Sequence, residues 1–288
     1  MIDKQKYISS FSEILTLRDL SESTVNNYVS YLRQFLVFLE TVLNNRLPEA
    51  ATWNDVRAYI SYLKDERGLN NRSINPHIAQ LRDLFIYVLH RDWDPRQVPF
   101  LKYDEYLPSV PTKQEMERII YTMKDLRYQC ILAIMYSAGL RVSEAVALRY
   151  QDISRSRMQI HVSKSKNRSE RKAILAHKTL NRLIWYWDQC GRPMSGYLFP
   201  GRKSGSHITT ESVRKAMKNH LADLGMQDKG YTPHSCRHCF GLVLYLSGAD
   251  LIAIRDLLGH KSLGSTLIYT SLGIGSNHGL TSPFDMEG

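Results

Sequence analysis

At 288 residues the chain is long enough for two domains of ordinary size, and an apolar fraction of 43% with 10% aromatics supplies material for their cores. It has no run of about 18 apolar residues, so no transmembrane helix is expected, and the opening MIDKQKYISSFSEI lacks the apolar stretch of a secretory signal, so a cytoplasmic protein is expected. The net charge of +10 points to nucleic acid, and it is unevenly placed: residues 1–110 hold 13 Lys+Arg against 14 Asp+Glu, leaving 25 against 14 for residues 111–288.

The first hundred residues read as helical. Ser21-Glu-Ser-Thr opens a segment with Tyr28, Tyr31, Leu32, Phe35, Leu36 and Leu39 at spacings of three and four, an amphipathic stripe. A second helix fits Trp53 to Glu66, stopping at Gly68, and a third fits Ser73 to His90 with Pro76 in its first turn, where proline is tolerated. A small all-helical domain over 1–100 follows, then a linker over 101–111 with two prolines within four residues. Thr112-Lys-Gln-Glu115 is a capping box that starts the second domain, 112–288. Its helices are interrupted once: Met158–Val162 and Arg171–Leu175 flank the basic stretch Ser163–Glu170, a β-hairpin with a long tip. The expected fold is therefore mainly α with a small β-sheet. Helices resume, and Ala249–Leu258 is ended by Gly259 as the residue after the cap.

Four islands carry candidate chemistry. Arg141 and Glu144 in Tyr136–Ala145 are three apart and share a helical face, with Gly139 allowing close backbone approach; a surface ion pair is the bland alternative. The hairpin tip holds Lys164 and Lys166, which a solvated loop would also explain. His234 and Arg237 again sit three apart, and Leu257-Leu-Gly-His260 precedes Tyr269. One tyrosine among 17 means nothing alone.

In order, Arg141, a hairpin lysine, His234-x-x-Arg237, Leu-Gly-His260 and Tyr269 resemble the catalytic signature of the tyrosine recombinases, which include phage integrases, Xer recombinases and transposon-encoded resolvases. The resemblance spans Thr112 to Tyr269, and the first domain looks like the family's core-binding domain. The simple N-terminus favours the Xer or transposon-resolvase layout over an arm-binding integrase. The resemblance implies a site-specific DNA recombinase with Tyr269 as nucleophile, acting through a 3′-phosphotyrosyl intermediate and a Holliday junction. It implies a DNA clamp, paired double-stranded sites, a tetramer on synapsed DNA from a protein monomeric in solution, and room for an accessory protein. Residues 270–288 would form a tail that family members commonly pass to a neighbouring protomer.

Elementary chemistry fits these roles. Two guanidiniums, Arg141 and Arg237, can clamp the non-bridging oxygens of a phosphodiester, and His260 can add a hydrogen bond. The Tyr269 phenol needs a proton acceptor, for which His234 serves, and the departing 5′ oxygen needs a proton, which a hairpin lysine supplies. Counting back from Arg171 and Leu175 selects Lys166; counting forward from Val162 leaves Lys164 as second choice. Glu144 supports the arginines and the histidine. No cofactor or metal is implied, since neither the acidic clusters of two-metal nucleases nor a Walker A loop is apparent, and rejoining needs no ATP because a phosphotyrosyl bond conserves the energy of the broken phosphodiester. Cys236-Arg-His-Cys239 leaves a zinc site open, with buried free thiols as the other reading. A type IB topoisomerase and a catalytically inactive DNA-binding relative are the competing functions.

Overall fold

Two compact units make up the chain, residues 1–105 and 106–288, in a computed structural model that describes residues 2–104, 107–163 and 170–273. In the first unit, α1 (Lys4–Leu17), α2 (Glu22–Thr41), α3 (Trp53–Asp65) and α4 (Asn71–Asp83) enclose one core. The stripe read from the sequence is its centre: Leu32, Phe35, Leu36 and Leu39 are all buried, against Phe11, Tyr59 and Ile78. Side-chain caps set the helix starts. Ser21 accepts from the Thr24 N–H, Thr52 and Asp55 cap each other, and Asn70 accepts from the Ser73 N–H. The Asn70 cap moves α4 two residues earlier than expected. Pro76 therefore lies inside the helix rather than in its first turn. A π turn, Leu84–Val88, continues α4. Helix α1 had no particular sequence reading of its own.

The second unit is built on a helix that is apolar all round. In α6 (Leu126–Ala138) six consecutive residues, Cys130 to Met135, are buried, so no face is left for water. Around it pack α5 (Lys113–Tyr121), α7 (Val142–Val146), α8 (His177–Gln189), α9 (Thr210–Asp223) and α10 (Pro233–Leu246). The capping box at Thr112 and Glu115 starts α5, as the sequence indicated. The sheet is antiparallel in the order β1 (Ile153–Ser154), β2 (Gln159–Val162), β3 (Arg171–Ile174). Val162 pairs with Arg171 and Gln159 with Ile174. These are the two arms expected of the hairpin; β1, only two residues long, carries no readable alternation. The mainly helical fold with a small sheet is thus as expected.

A smaller apolar cluster, Phe240, Ile254, Leu258 and Tyr269, packs α11 (Leu251–Leu258) and α12 (Gly264–Leu272) onto α10. Thr270 to Leu272 therefore complete the helix of Tyr269, and the rest of the tail, 274–288, lies outside the described residues. Among the described residues no helix is long and apolar enough to cross a membrane. Cys130, Cys236 and Cys239 are buried free thiols and Cys190 is an exposed one.

Gly139 joins the two clusters. It caps α6 with φ of 63°, and a Cβ there would lie 2.6 Å from the Phe240 ring and 2.7 Å from a Leu258 methyl. Left-handed backbone and overpacking would act together. Gly139→Ala is therefore expected to lower unfolding free energy by about 2–5 kcal/mol. Urea unfolding measures this; an unchanged midpoint would mean the close approach is not real.

Candidate active site

The C-terminus of α11 exposes three successive carbonyls, and each receives a different arginine. Arg171 Nε donates to Leu257 O (3.1 Å), Arg237 Nη2 to Leu258 O (2.6 Å) and Arg141 Nη2 to Gly259 O (3.3 Å). The last carbonyls of a helix lack intrahelical partners and carry its negative dipole end, so they suit guanidiniums. Gly259 makes the turn with φ of 62°, as its place after the helix suggested. A second helix end helps: Gly139 O, at the end of α6, accepts from Arg237 Nη1 at 2.6 Å.

Glu144 collects the same three arginines from the other side. Arg141 is the N-cap of α7 and Glu144 its third residue, so the shared face read from the sequence is a capping arrangement. The Arg141 backbone N–H donates to Oε2 (2.8 Å) and its Nη1 to Oε1 (3.0 Å). Arg171 grips both oxygens, at 3.0 and 2.9 Å, and Arg237 Nη1 lies 4.0 Å from Oε2. Burial pushes the Glu144 carboxyl up, but these hydrogen bonds and charges outweigh it and hold the pKa at about 2. Arg237 is 2% exposed; burial and the neighbouring Arg141 push its pKa down, and Glu144 opposes them.

Three guanidiniums thus face one carboxylate and two helix C-termini, whose dipole ends are negative. Arg141 is the most exposed of the three, with its side chain at 18% against 9% for Arg171 and 2% for Arg237.

Tyr269 lies against α10, 1% exposed, with its ring on the backbone of Gly241. A Cβ at Gly241 would stand 2.5 Å from the phenol oxygen. Burial raises its pKa to about 12, while Arg237 and Arg141 pull the other way. His260 Nδ1 pairs with the buried Thr266 hydroxyl of α12 at 2.8 Å, which ties the turn after α11 to the tyrosine's helix. Burial, with Arg237 and Arg141, lowers the His260 pKa to about 4, so the ring is neutral at neutral pH. If Thr266 donates to Nδ1, Nε2 keeps the proton and can donate outward. His234 is exposed, with burial of its inner side and both arginines pushing its pKa down.

Tyr269, Arg141, Arg237, Glu144, His260 and His234 thus come to one place from α7, α10, the turn after α11 and α12. Lys164 and Lys166 lie outside the described residues. Three participants went unassigned in the sequence. Arg171 served only as a landmark for counting. His238 is in ring contact with both His234 (4.8 Å between centroids) and Tyr269 (6.3 Å), and its buried Nδ1 has no partner. Thr266 orients His260. Only His238 had a visible signal, its place one residue after Arg237. Cys236 and Cys239 are buried in α10, and burial raises the Cys239 thiol to about 12, which works against a thiolate ligand. Among the described residues no group of three or more His, Cys, Asp or Glu is arranged to hold a metal ion.

Residues 110–273 match the Phage integrase family, and residues 8–95 match the Phage integrase N-terminal SAM-like domain. The chain is 37% identical over 277 residues to "Putative integrase/recombinase y4qK" of Sinorhizobium fredii, covering 96% of this chain and 87% of that protein. It is 28% identical over 291 residues to the tyrosine recombinase XerD of Rickettsia bellii, covering 93% and 94%. Its fold resembles a crystal structure of the XerH site-specific recombinase bound to difH substrate in a pre-cleavage complex. The TM-score is 0.70 at 20% identity, covering 91% of this chain and 81% of the other.

The depressed Glu144 pKa has a consequence for stability. A carboxyl at about 2 in the fold against an ordinary 4.5 stabilises the native state above pH 4.5, and that gain fades as pH falls toward 2. Its full size is about 3 kcal/mol. Glu144→Gln should therefore be less stable than wild type at pH 7 by about that amount, and the gap should close progressively below pH 5 in urea titrations. A gap independent of pH would show that Glu144 is not held down by its arginines.

Proposed function

The chain belongs to the phage integrase family and is a tyrosine-type site-specific recombinase, and from that premise we propose that it exchanges DNA strands through a 3′-phosphotyrosyl intermediate. One observation carries this reading: two guanidiniums, Arg141 and Arg237, converge on the end of α11, and the buried Tyr269 hydroxyl lies within their electrostatic reach.

A scissile phosphate is the anion these guanidiniums take. Arg141, Arg237 and the outward Nε2–H of His260 donate to its non-bridging oxygens, where charge grows as phosphorus becomes five-coordinate. The Tyr269 phenol, stowed against Gly241 in this structure, turns to the phosphate and attacks in line with the 5′ oxygen. Its proton passes to His234, with His238 in ring contact with both residues. The new bond joins the phenol oxygen to phosphorus, and the P–O5′ bond breaks. The 5′ oxygen leaves as a hydroxyl with a proton from Lys166. Attack by the 5′-hydroxyl of a partner strand reverses each step and frees the tyrosine. The broken bond's energy stays in the phosphotyrosyl link, so no ATP is required, and the guanidiniums supply the charge stabilisation that a metal ion gives elsewhere.

On this reading the partners are paired duplex sites. The protein is monomeric in solution, tetrameric on synapsed DNA, and works through a Holliday junction in the cytoplasm, with an accessory protein where the sites demand one. The N-terminal unit grips DNA as a core-binding domain.

The test uses duplex DNA selected for binding from a random pool, then nicked so that the cleaved fragment diffuses away. Tyr269→Phe keeps the ring and its packing and should bind this DNA as wild type does, yet form no covalent adduct. Persistence of the adduct would remove the nucleophile assignment. Adduct formation by wild type with plasmid relaxation but no strand exchange would mark a relaxing topoisomerase.

The lysine is assigned by a second substrate. Lys166→Ala should cleave normal DNA slowly and recover on DNA with a 5′-bridging sulfur, which departs without a proton, while Lys164→Ala stays near wild type. The reverse pattern moves the general acid to Lys164.

A further inference from the structure

Arg171 has no role in the chemistry above, yet it is held by three hydrogen bonds inside the protein. It is the first residue of β3, and its side chain is 9% exposed. Each of its three nitrogens donates to the protein: Nη1 and Nη2 to the two oxygens of Glu144, and Nε to Leu257 O. Its stem runs along the backbone of Gly259, where a Cβ would come within 3.0 Å of Arg171 Cδ.

A third cation beside two others is unfavourable on charge alone. A position that needed only to be filled would suit an apolar side chain of similar length, since replacing buried ion pairs in that way is often neutral or stabilising. Geometry explains the choice better. The Glu144 carboxylate has to accept from the Arg141 backbone N–H through one oxygen and from the Arg141 side chain through the other. The Arg171 fork grips both oxygens and fixes their plane. The same side chain holds the turn Leu257–His260, because Nε bonds the carbonyl three residues before His260.

Resting on the recombinase reading, we propose that Arg171 is a positioning residue. It locks Glu144 and the α11 C-terminus into one rigid piece and thereby aims Arg141 and His260 at the scissile phosphate. It acts through Glu144 and Leu257 rather than on the phosphate, because its fork is turned to the Glu144 carboxylate. Arg171 is also the second residue after the stretch that carries Lys164 and Lys166, so a role in placing the general acid instead is the competing account, and the sulfur substrate separates the two.

Full-length wild type, Arg171→Lys and Arg171→Met are compared on the selected nicked duplex, with an ordinary 5′ oxygen and with a 5′-bridging sulfur. Thermal melting is recorded first. Adduct formation is then followed at saturating protein, and affinity is measured by titration. The lysine variant keeps the charge and loses the fork. It should bind within about twofold of wild type and cleave about 10²-fold more slowly, the cost of misplacing reacting groups by ~1 Å. The same loss should appear on the sulfur substrate. Arg171→Met, which removes the buried charge, should fold and show at least as large a loss; it carries the test if the lysine variant does not fold.

Cleavage by Arg171→Lys within about threefold of wild type overturns the proposal. So does a defect that disappears with sulfur, which would place Arg171 in proton delivery, or a loss confined to affinity. Unfolding of both variants replaces positioning with a structural role. Wild type, run alongside, keeps the two readings apart. No adduct from wild type removes the recombinase chemistry, whereas a normal adduct from both proteins removes only the role of Arg171.

Discussion

Three guanidiniums buried side by side would repel one another and could not stay desolvated without matched acceptors. The second unit is arranged around that constraint. Glu144 supplies the one full negative charge, and the ends of α6 and α11 supply carbonyls whose hydrogen bonds reach 2.6 Å. Much of the local architecture serves these contacts. Gly139 and Gly259 turn the helix ends so that their carbonyls face inward, and α6 can run through the middle of the unit because it is apolar on every side.

On the proposed reading this arrangement is what the chemistry uses: the guanidiniums are already held in place as charge develops on the oxygens of a bound phosphodiester. The proposed nucleophile is treated in the opposite way: Tyr269 is buried on Gly241, and burial raises its pKa to about 12. On the proposed reading activation depends on DNA, which brings the anion. His260, tied through Thr266 to the helix of Tyr269, links the phosphate side of the site to the nucleophile side.

What the sequence revealed follows the range of each contact. Arg141 with Glu144 and His234 with Arg237 stood out because three-residue spacing is visible along a chain, as were the box at Thr112 and the stop at Gly259. Arg171 was invisible as a functional residue. Its partner Glu144 is 27 positions away and reached only when β3 pairs with β2. The contact of Arg141 with Gly259 spans 118 positions. Tertiary closure also explains Gly241, an unremarked helix residue whose missing side chain makes room for Tyr269. Pro76 was misplaced by a local cause: Asn70 outcompetes Ser73 as the cap and starts α4 early.

The account stands or falls on where the protein joins DNA. The decisive measurement is mass spectrometry of the covalent adduct trapped on the nicked duplex, in EDTA and without nucleotide, after the DNA is digested to its last residue. The account expects one modified peptide, with a 3′-linked nucleotide phosphate on Tyr269 and a free 5′-hydroxyl on the released strand. A phosphate carried by another residue, or cleavage that needs an added divalent cation and leaves no protein attached, would contradict it.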